Sequence, residues 1–169
     1  MRKYFLLPVT LLFFLNAAAQ QDSLKWVQEI NEQVWKPFTA HLISGNKEGF
    51  KNVHSKKITR VEIDRGVIQD YQKYFPPVKP DSSSAGKRPE RLFELRFDKR
   101  ISNGTMAWET GYYKGTVMQP EKEPRYYYGR FYVVLEKENG TWKILVDADT
   151  GKNANEDNFN KASLMEPQQ

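Results

Sequence analysis

The sequence contains no cysteine and only two histidines, His41 and His54, among its 169 residues. Without cysteine the chain forms no disulfide and lacks both a cysteine for lipid attachment and the thiolate ligands of structural zinc sites. The two histidines do not have the close spacing of a metal-binding pair, so we expect no metal ion. The sequence also shows no phosphate-binding glycine loop and no Ser-His-Asp or Cys-His arrangement, and we expect no cofactor.

Long apolar runs are absent after the N-terminus. Two basic residues precede a short apolar stretch at 5–15, and three alanines at 17–19 form a small-residue cleavage site. The apolar stretch is too short to span a bilayer as an ordinary transmembrane helix. We therefore predict a signal peptide at 1–19 and a single domain at 20–169. The protein is expected to be exported, to the periplasm or the extracellular space, without membrane contact after cleavage.

A large excess of positive charge is also missing. The formal net charge of +5 includes Arg2 and Lys3 of the predicted signal peptide, and it would fall to +3 after cleavage. The remaining basic residues are interspersed with Asp and Glu and form no stripe of the kind that nucleic-acid-binding proteins use. We therefore expect no nucleic-acid partner.

The pattern of apolar residues predicts helices first and an antiparallel sheet afterwards. Three- and four-residue spacing predicts a helix over 23–44 that is kinked or split near Trp35 because of Pro37. Two shorter helices are predicted at 47–54 and 67–75, on either side of a strand at 57–64. Alternating residues from position 91 to position 150 then predict four antiparallel strands. Helices packed on one face of such a sheet make an α+β domain.

The most informative stretch is 128–150, in which two strands are joined by Asn139-Gly140. This dipeptide favours a two-residue type I′ turn, and the turn fixes which side chains share a face of the hairpin. The core face then carries Phe131, Val133, Leu135, Ile144 and Val146. The opposite face carries Arg130, Tyr132, Asp147 and Asp149. These four would form either a polar site or a charge network on a solvated or dimer-forming outer face, and we expect the outer-face network.

Asn103-Gly104 predicts a second hairpin, in which Asp98 lies opposite Glu109. Two facing carboxyl groups would share a raised pKa and act as acid and base. The alternation of the strands instead places both on the solvated face, next to Arg96 and Arg100, and this second interpretation is the one that we expect.

Several short motifs occur in the order found in the nuclear transport factor 2-like superfamily, also known as the SnoaL-like or ketosteroid-isomerase-like cone. They lie at 35–38, 45–46, 50–55, 58–61, 66–71, 108–112 and 140–144. The chain resembles this superfamily over about residues 24–162, and its segment 156–159 resembles an exported branch. The resemblance implies a cone-shaped, curved antiparallel sheet wrapped around a long N-terminal helix. It also implies a cavity against the concave face of the sheet and, often, a dimer through the sheet.

Aromatic side chains are the best candidates for the lining of such a cavity, because they account for 14% of the residues. The candidate pocket residues are Trp35, Phe38, His54, Tyr71, Phe93, Trp108, Tyr112 and Trp142. Our first hypothesis is a homodimeric protein that binds a small apolar molecule in the cavity, or a protein partner.

An enzyme is the alternative, since the superfamily includes isomerases, dehydratases and cyclases as well as binding domains, and the fold does not decide between them. Such an enzyme would use a pocket carboxylate or His54 together with a tyrosine donor. No catalytic residue can be assigned from the sequence. A carboxylate or His54 within hydrogen-bond reach of a tyrosine in an apolar cavity would favour the enzyme.

Overall fold

The computed structural model describes residues 25–77 and 89–166. The predicted signal peptide at 1–19 lies outside the described residues and stays a prediction. Within the described part, no helix is both long enough and apolar enough to cross a bilayer.

The first described element is a long helix, α1, that changes its winding in the middle. It is α-helical over 25–30, π-helical over Asn31–Trp35 and α-helical again over Lys36–Ser44. Pro37 lies just after the π-helical section, inside the continuous helix, where its missing N–H removes one backbone hydrogen bond. Gly45, in the left-handed conformation with φ of 69°, ends the helix. The predicted helix and its irregularity near Pro37 are both present.

Three shorter helices each begin at a side chain that caps them. They are α2 (Lys47–Asn52), α3 (Tyr71–Tyr74) and α4 (Glu156–Lys161). The capping residues Asn46, Asp70 and Asn155 each accept a hydrogen bond of 2.9 Å from the backbone N–H three residues later. The helix predicted at 67–75 is therefore limited to α3, because the chain before Asp70 is extended.

Seven strands form one curved, unclosed sheet. They are β1 (His54–Glu62), β2 (Val67–Gln69), β3 (Glu90–Ser102), β4 (Met106–Met118), β5 (Arg125–Glu138), β6 (Thr141–Thr150) and β7 (Ser163–Leu164). Their order across the sheet is β2-β1-β6-β5-β4-β3-β7, and a short 3₁₀ turn at Ile63–Arg65 links β1 to β2. The predicted four-strand meander is β3 to β6. The prediction lacked the parallel pairing of β1 with β6 and the short strands β2 and β7.

The core lies between α1 and the inner face of the sheet. Trp35 of α1 packs with its ring centroid 5.7 Å from Phe97 and 5.5 Å from Phe131. The outer face carries a smaller cluster in which Phe159 of α4 packs against Tyr112 and Tyr128. A long N-terminal helix against a curved sheet is the predicted α+β architecture, and the structure confirms it.

The β5–β6 hairpin has the predicted turn but not the predicted register. Asn139 and Gly140 both have positive φ, 50° and 82°, as a type I′ turn requires. Leu135 pairs with Ile144 as expected, but Val134 then pairs with Val146, so that Leu145 is an extra residue without a partner. This β-bulge reverses the facing of every later residue of β6 relative to the prediction. Asp147 and Asp149 consequently lie opposite the core residues Val133 and Phe131, on the inner face.

The β3–β4 hairpin also departs from its predicted register. Four residues, 103–106, connect Ser102 to its partner Ala107, where the prediction had a two-residue turn. A β-bulge between Phe97 and Lys99 then leaves Asp98 without a partner on β4. Glu109 pairs with Arg100 instead of Asp98. The predicted pairing of two carboxyl groups on the solvated face is therefore wrong, because the two-residue turn and the uninterrupted alternation that it assumed are both absent.

Candidate functional site

A cavity of about 230 Å³ lies between α1 and the inner face of the sheet. Most of its wall is aromatic, and the aromatic residues are Trp35, Phe38, Phe50, Tyr74, Phe93, Tyr113, Tyr127 and Phe131. Aliphatic side chains complete the wall: Leu42, Leu95, Val133 and Ile144. The remaining lining residues are the charged Arg60, Asp147 and Asp149. The cavity thus combines apolar walls with one charged region, which we call the floor.

The floor is a three-residue ion cluster between the parallel strands β1 and β6. Arg60 Nη2 lies 2.7 Å from Asp149 Oδ1, and Arg60 Nη1 lies 3.3 Å from Asp147 Oδ1. The Arg60 and Asp147 side chains are each only 13% exposed. Removing Arg60 would leave two shielded carboxylates without a counter-charge, so the floor depends on this one arginine.

Two tyrosines border this floor. The Tyr113 hydroxyl donates a hydrogen bond of 3.0 Å to Asp149 Oδ2. Gly129 lies opposite Tyr113 on β5, and a Cβ there would come within 2.0 Å of the Tyr113 ring. The absence of a side chain at Gly129 therefore lets the ring cross β5 and reach β6. Tyr74 lies on the other side, with its ring 5.7 Å from the Arg60 guanidinium.

Burial shifts the protonation equilibria of the floor. It raises the pKa of Asp147, and the positive charge of Arg60 and a hydrogen bond from Tyr74 act in the opposite direction. Burial and the nearby carboxylates also raise the pKa of the Tyr74 and Tyr113 hydroxyls, so both tyrosines keep their protons at neutral pH.

Three of the eight predicted pocket residues line the cavity: Trp35, Phe38 and Phe93. Trp108 and Tyr112 face outward, with Trp108 40% exposed and Tyr112 packed beneath α4. Trp142 is buried at the other end of α1, where Glu29 and Gln33 accept its hydrogen bonds. Tyr71 packs against Phe75 and accepts a hydrogen bond from Lys56, away from the cavity.

The predicted outer-face network of four residues is not present, and the β6 bulge is the reason. Asp147 and Asp149 are in the cavity floor. Arg130 and Tyr132 remain on the outer face, where Arg130 pairs with Asp98 at 3.2 Å and lies over the Tyr112 and Tyr132 rings.

Glu109, expected on the solvated face, is 1% exposed and lies in a second buried polar cluster. Its carboxylate accepts hydrogen bonds of 2.5 Å from Trp35 Nε1 and 2.7 Å from Arg100 Nε. Arg100 also donates to Asn31 Oδ1 and to the Met165 backbone carbonyl. Burial raises the pKa of Glu109 while Arg100 and Trp35 lower it. Because these bonds join the π-helical section of α1 to β3, β4 and the C-terminal segment, we assign Glu109 a structural role.

His54 is buried behind the cavity wall, with 3% exposure. Nδ1 lies 2.8 Å from the Phe50 carbonyl oxygen, to which it donates, and Nε2 has no hydrogen-bond partner among the described residues. The rings of Phe38, Phe50, Tyr74 and Phe75 surround the imidazole at centroid distances of 4.9 to 6.0 Å. Burial lowers the pKa of His54 to about 4, and the charges of Arg60 and Lys143 act in the same direction. His54 is thus neutral at physiological pH.

Sequence reasoning missed Arg60 and Tyr113, and it placed Asp147 and Asp149 on the wrong face of the sheet. One signal for them is present in the sequence. Ile144, Leu145 and Val146 are three consecutive apolar residues in a strand that otherwise alternates, and such a break is typical of a bulge.

Acidification should destabilise the protein through His54. Between about pH 6.5 and pH 4 the unfolded chain binds a proton at His54 that the folded chain does not bind, so stability falls as the pH falls. The free energy of unfolding of the wild type, measured against that of His54→Asn, should decrease by about 3 kcal/mol over this range. Urea denaturation at a series of pH values measures the difference.

The His54→Asn variant keeps a side-chain donor for the Phe50 carbonyl. His41→Asn is the matched control, because it removes the histidine that lies outside the ring of aromatic side chains around His54. Parallel loss of stability in the wild type and His54→Asn would contradict the prediction.

The sequence matches no protein-family model, and no curated protein matches it. Solved structures do match. A nuclear transport factor 2-like protein with a cystatin-like fold from Novosphingobium aromaticivorans has a TM-score of 0.62 and 10% identity, over 85% of this chain and 93% of that chain. A nuclear transport factor 2-like superfamily protein from Salmonella enterica serovar Typhimurium has a TM-score of 0.54 and 18% identity, and the match covers 74% of this chain and 89% of that chain. The CamKII hub homology domain of Chlamydomonas reinhardtii has a TM-score of 0.51 and 19% identity, and the match covers 66% of this chain and 87% of that chain.

These identities are low, and what they establish is the architecture. The long helix, the curved unclosed sheet and the cavity between them correspond to the cone that the sequence motifs resemble. The chain therefore has the nuclear transport factor 2-like fold.

Proposed function

We propose that the protein binds a small, mainly apolar molecule inside the cone, with the polar end of that molecule against the floor formed by Arg60, Asp147 and Asp149. The observation that carries this proposal is a cavity with apolar walls and a single charged region, lined by side chains from α1 and from both halves of the sheet. A few convergent polar groups in an apolar pocket are typical of ligand sites.

The size of the cavity limits the ligand. Its volume of about 230 Å³ is below the range of roughly 300–1,000 Å³ that is usual for pockets binding drug-sized molecules. The flat aromatic walls, including Phe93 stacked on Tyr113 at 5.2 Å, suit a single ring or a short branched chain.

Filling the cavity should prevent binding. Leu42 lies on α1 and lines the cavity, so that Leu42→Trp would place a larger side chain in the space for the ligand. We expect the affinity for 2-phenylethanol, a neutral single-ring probe, to fall by at least about tenfold, which corresponds to about 1.4 kcal/mol. Isothermal titration calorimetry measures this change.

Leu92→Trp makes the same substitution at a residue of β3 that is 46% exposed and outside the cavity, and it should bind the probe as the wild type does. Unchanged binding by Leu42→Trp, or equal losses in both variants, would argue against binding in the cavity.

An enzyme is a second candidate function, favoured by the hydrogen bond from Tyr113 to Asp149 inside the cavity. Proton abstraction next to a carbonyl needs a carboxylate base and a tyrosine donor to the carbonyl oxygen, and Tyr113 would supply this donor by turning its hydroxyl from Asp149 to the substrate. His54 is less suited to the role of base, because aromatic rings enclose it and it does not line the cavity.

If this second candidate is correct, the wild type should accelerate deuterium uptake from D₂O into cyclohexanone, and Asp149→Asn should lower the rate by at least about a hundredfold. Nuclear magnetic resonance of the ketone follows the exchange. Equal rates for the wild type, Asp149→Asn and buffer alone would exclude this chemistry for the probe.

The outer face of the sheet supports the proposal of a homodimer. Ile101, Trp108, Val134 and Val146 are successive cross-strand neighbours on β3, β4, β5 and β6, and we call them the outer apolar row. Ile101 is 49% exposed and Trp108 is 40% exposed, whereas α4 covers the neighbouring Tyr112. A continuous apolar row on an exposed sheet face is typical of a protein interface, and a second copy of the chain would present the same row.

A charge in this row should dissociate the dimer. We expect the wild type to be dimeric and Trp108→Glu to be monomeric, because the substitution buries an unpaired carboxylate in the interface. Multi-angle light scattering measures both masses. Ile43→Glu is the matched control, at an exposed apolar residue of α1 far from the row. A monomeric wild type would refute the dimer.

A further inference from the structure

We infer that the ligand is a small organic amine, bound as its ammonium cation against the floor with its apolar or aromatic body between the cavity walls. This inference rests on the proposed function and specifies the chemical class of the ligand. The observations that carry it are the charge balance of the lining, the hydrogen bonds that Arg60 already makes, and the aromatic character of the walls.

The lining carries more negative than positive charge. Its charged side chains are Asp147, Asp149 and Arg60, so that two carboxylates face one guanidinium. All three are largely shielded from water, with exposures of 13% for Arg60 and Asp147 and 24% for Asp149. A second cation at the floor would balance the charge, and in such a shielded site each charge interaction is stronger than in water.

Arg60 is not available to receive an anion. Its Nη2 lies 2.7 Å from Asp149, and its Nη1 lies 3.3 Å from both the carboxylate and the backbone carbonyl of Asp147. An anionic ligand would have to displace these carboxylates or lie beside them, and like charges in a shielded site repel. The cluster therefore disfavours carboxylate and phosphate ligands, although it contains an arginine.

Hydrogen-bond acceptors are what the floor offers. Carboxylates only accept hydrogen bonds, and the Tyr113 hydroxyl already donates its proton to Asp149, which leaves its oxygen lone pairs to accept. An ammonium group brings up to three donors and a positive charge to these acceptors. A hydroxyl group brings one donor and no charge, so a neutral alcohol satisfies the floor less well.

The walls next to the floor favour a cation as well. Tyr74 and Tyr113 lie beside the two carboxylates, and the guanidinium of Arg60 already lies 5.7 Å from the Tyr74 ring. The faces of aromatic rings attract cations, most strongly where water is excluded. Burial also raises the pKa of Asp147 in spite of Arg60, and an added positive charge would relieve this unfavourable burial.

Three probes that share a benzyl group test the inference: 2-phenylethylamine, 2-phenylethanol and phenylacetate. Calorimetric titration of the wild type should give an affinity for the amine at least about tenfold above that for the alcohol, with the weakest binding for phenylacetate. Asp149→Asn keeps an acceptor for Arg60 and Tyr113 but removes one negative charge. We expect it to lower the affinity for the amine by at least about tenfold more than it lowers the affinity for the alcohol.

Asp98→Asn is the matched control, because Asp98 forms its ion pair with Arg130 on the outer face. It should bind all three probes as the wild type does. Binding of the alcohol or of phenylacetate as tightly as the amine, or binding of the amine by Asp149→Asn at wild-type affinity, would overturn the amine inference and leave the proposed function standing. If none of the three probes binds the wild type, the proposed function is overturned, and the amine inference with it.

Discussion

The unpaired residue Leu145 determines which face of β6 points into the cone. Without it the strict alternation of the hairpin would continue, and Asp147 and Asp149 would face outward. With it, both carboxylates lie on the inner face, next to Arg60 of the parallel strand β1. The charged floor of the cavity and the reach of Tyr113 toward Asp149 both depend on this one extra residue in a ladder of hydrogen bonds.

The floor and the cluster around Glu109 differ in what surrounds them. Glu109, Arg100, Asn31 and Trp35 form a cluster in which hydrogen bonds join α1, the sheet and the C-terminal segment. Such a cluster fixes how the elements pack, at the cost of dehydrating its charges. The floor cluster carries a similar cost but borders a cavity. Charged groups with shifted pKa values in a cleft mark a candidate functional site, whereas the cluster around Glu109 is explained by packing.

Sequence patterns predicted the architecture well and the site only in part. The spacing of apolar residues in α1 and the Asn139-Gly140 turn are local signals, and both predictions are confirmed. The bulges at Leu145 and Asp98 each reverse a face that simple alternation assigns. The neighbour of Arg60 could not be predicted, because β1 pairs with a strand more than 80 residues later in the sequence.

Because β1 pairs with β6, the floor exists only in the folded chain. Arg60 is separated from Asp147 by 87 residues and from Asp149 by 89, so no hairpin or helical fragment of the chain contains the whole floor. Closing so long a loop costs chain entropy, and contacts between residues so far apart in the sequence slow the folding of a chain. Occupancy of the cavity is consequently a property of the fully folded chain. A molecule that bound there would stabilise the folded chain over the unfolded one and would make the protein more resistant to heat and to proteases as its concentration rose.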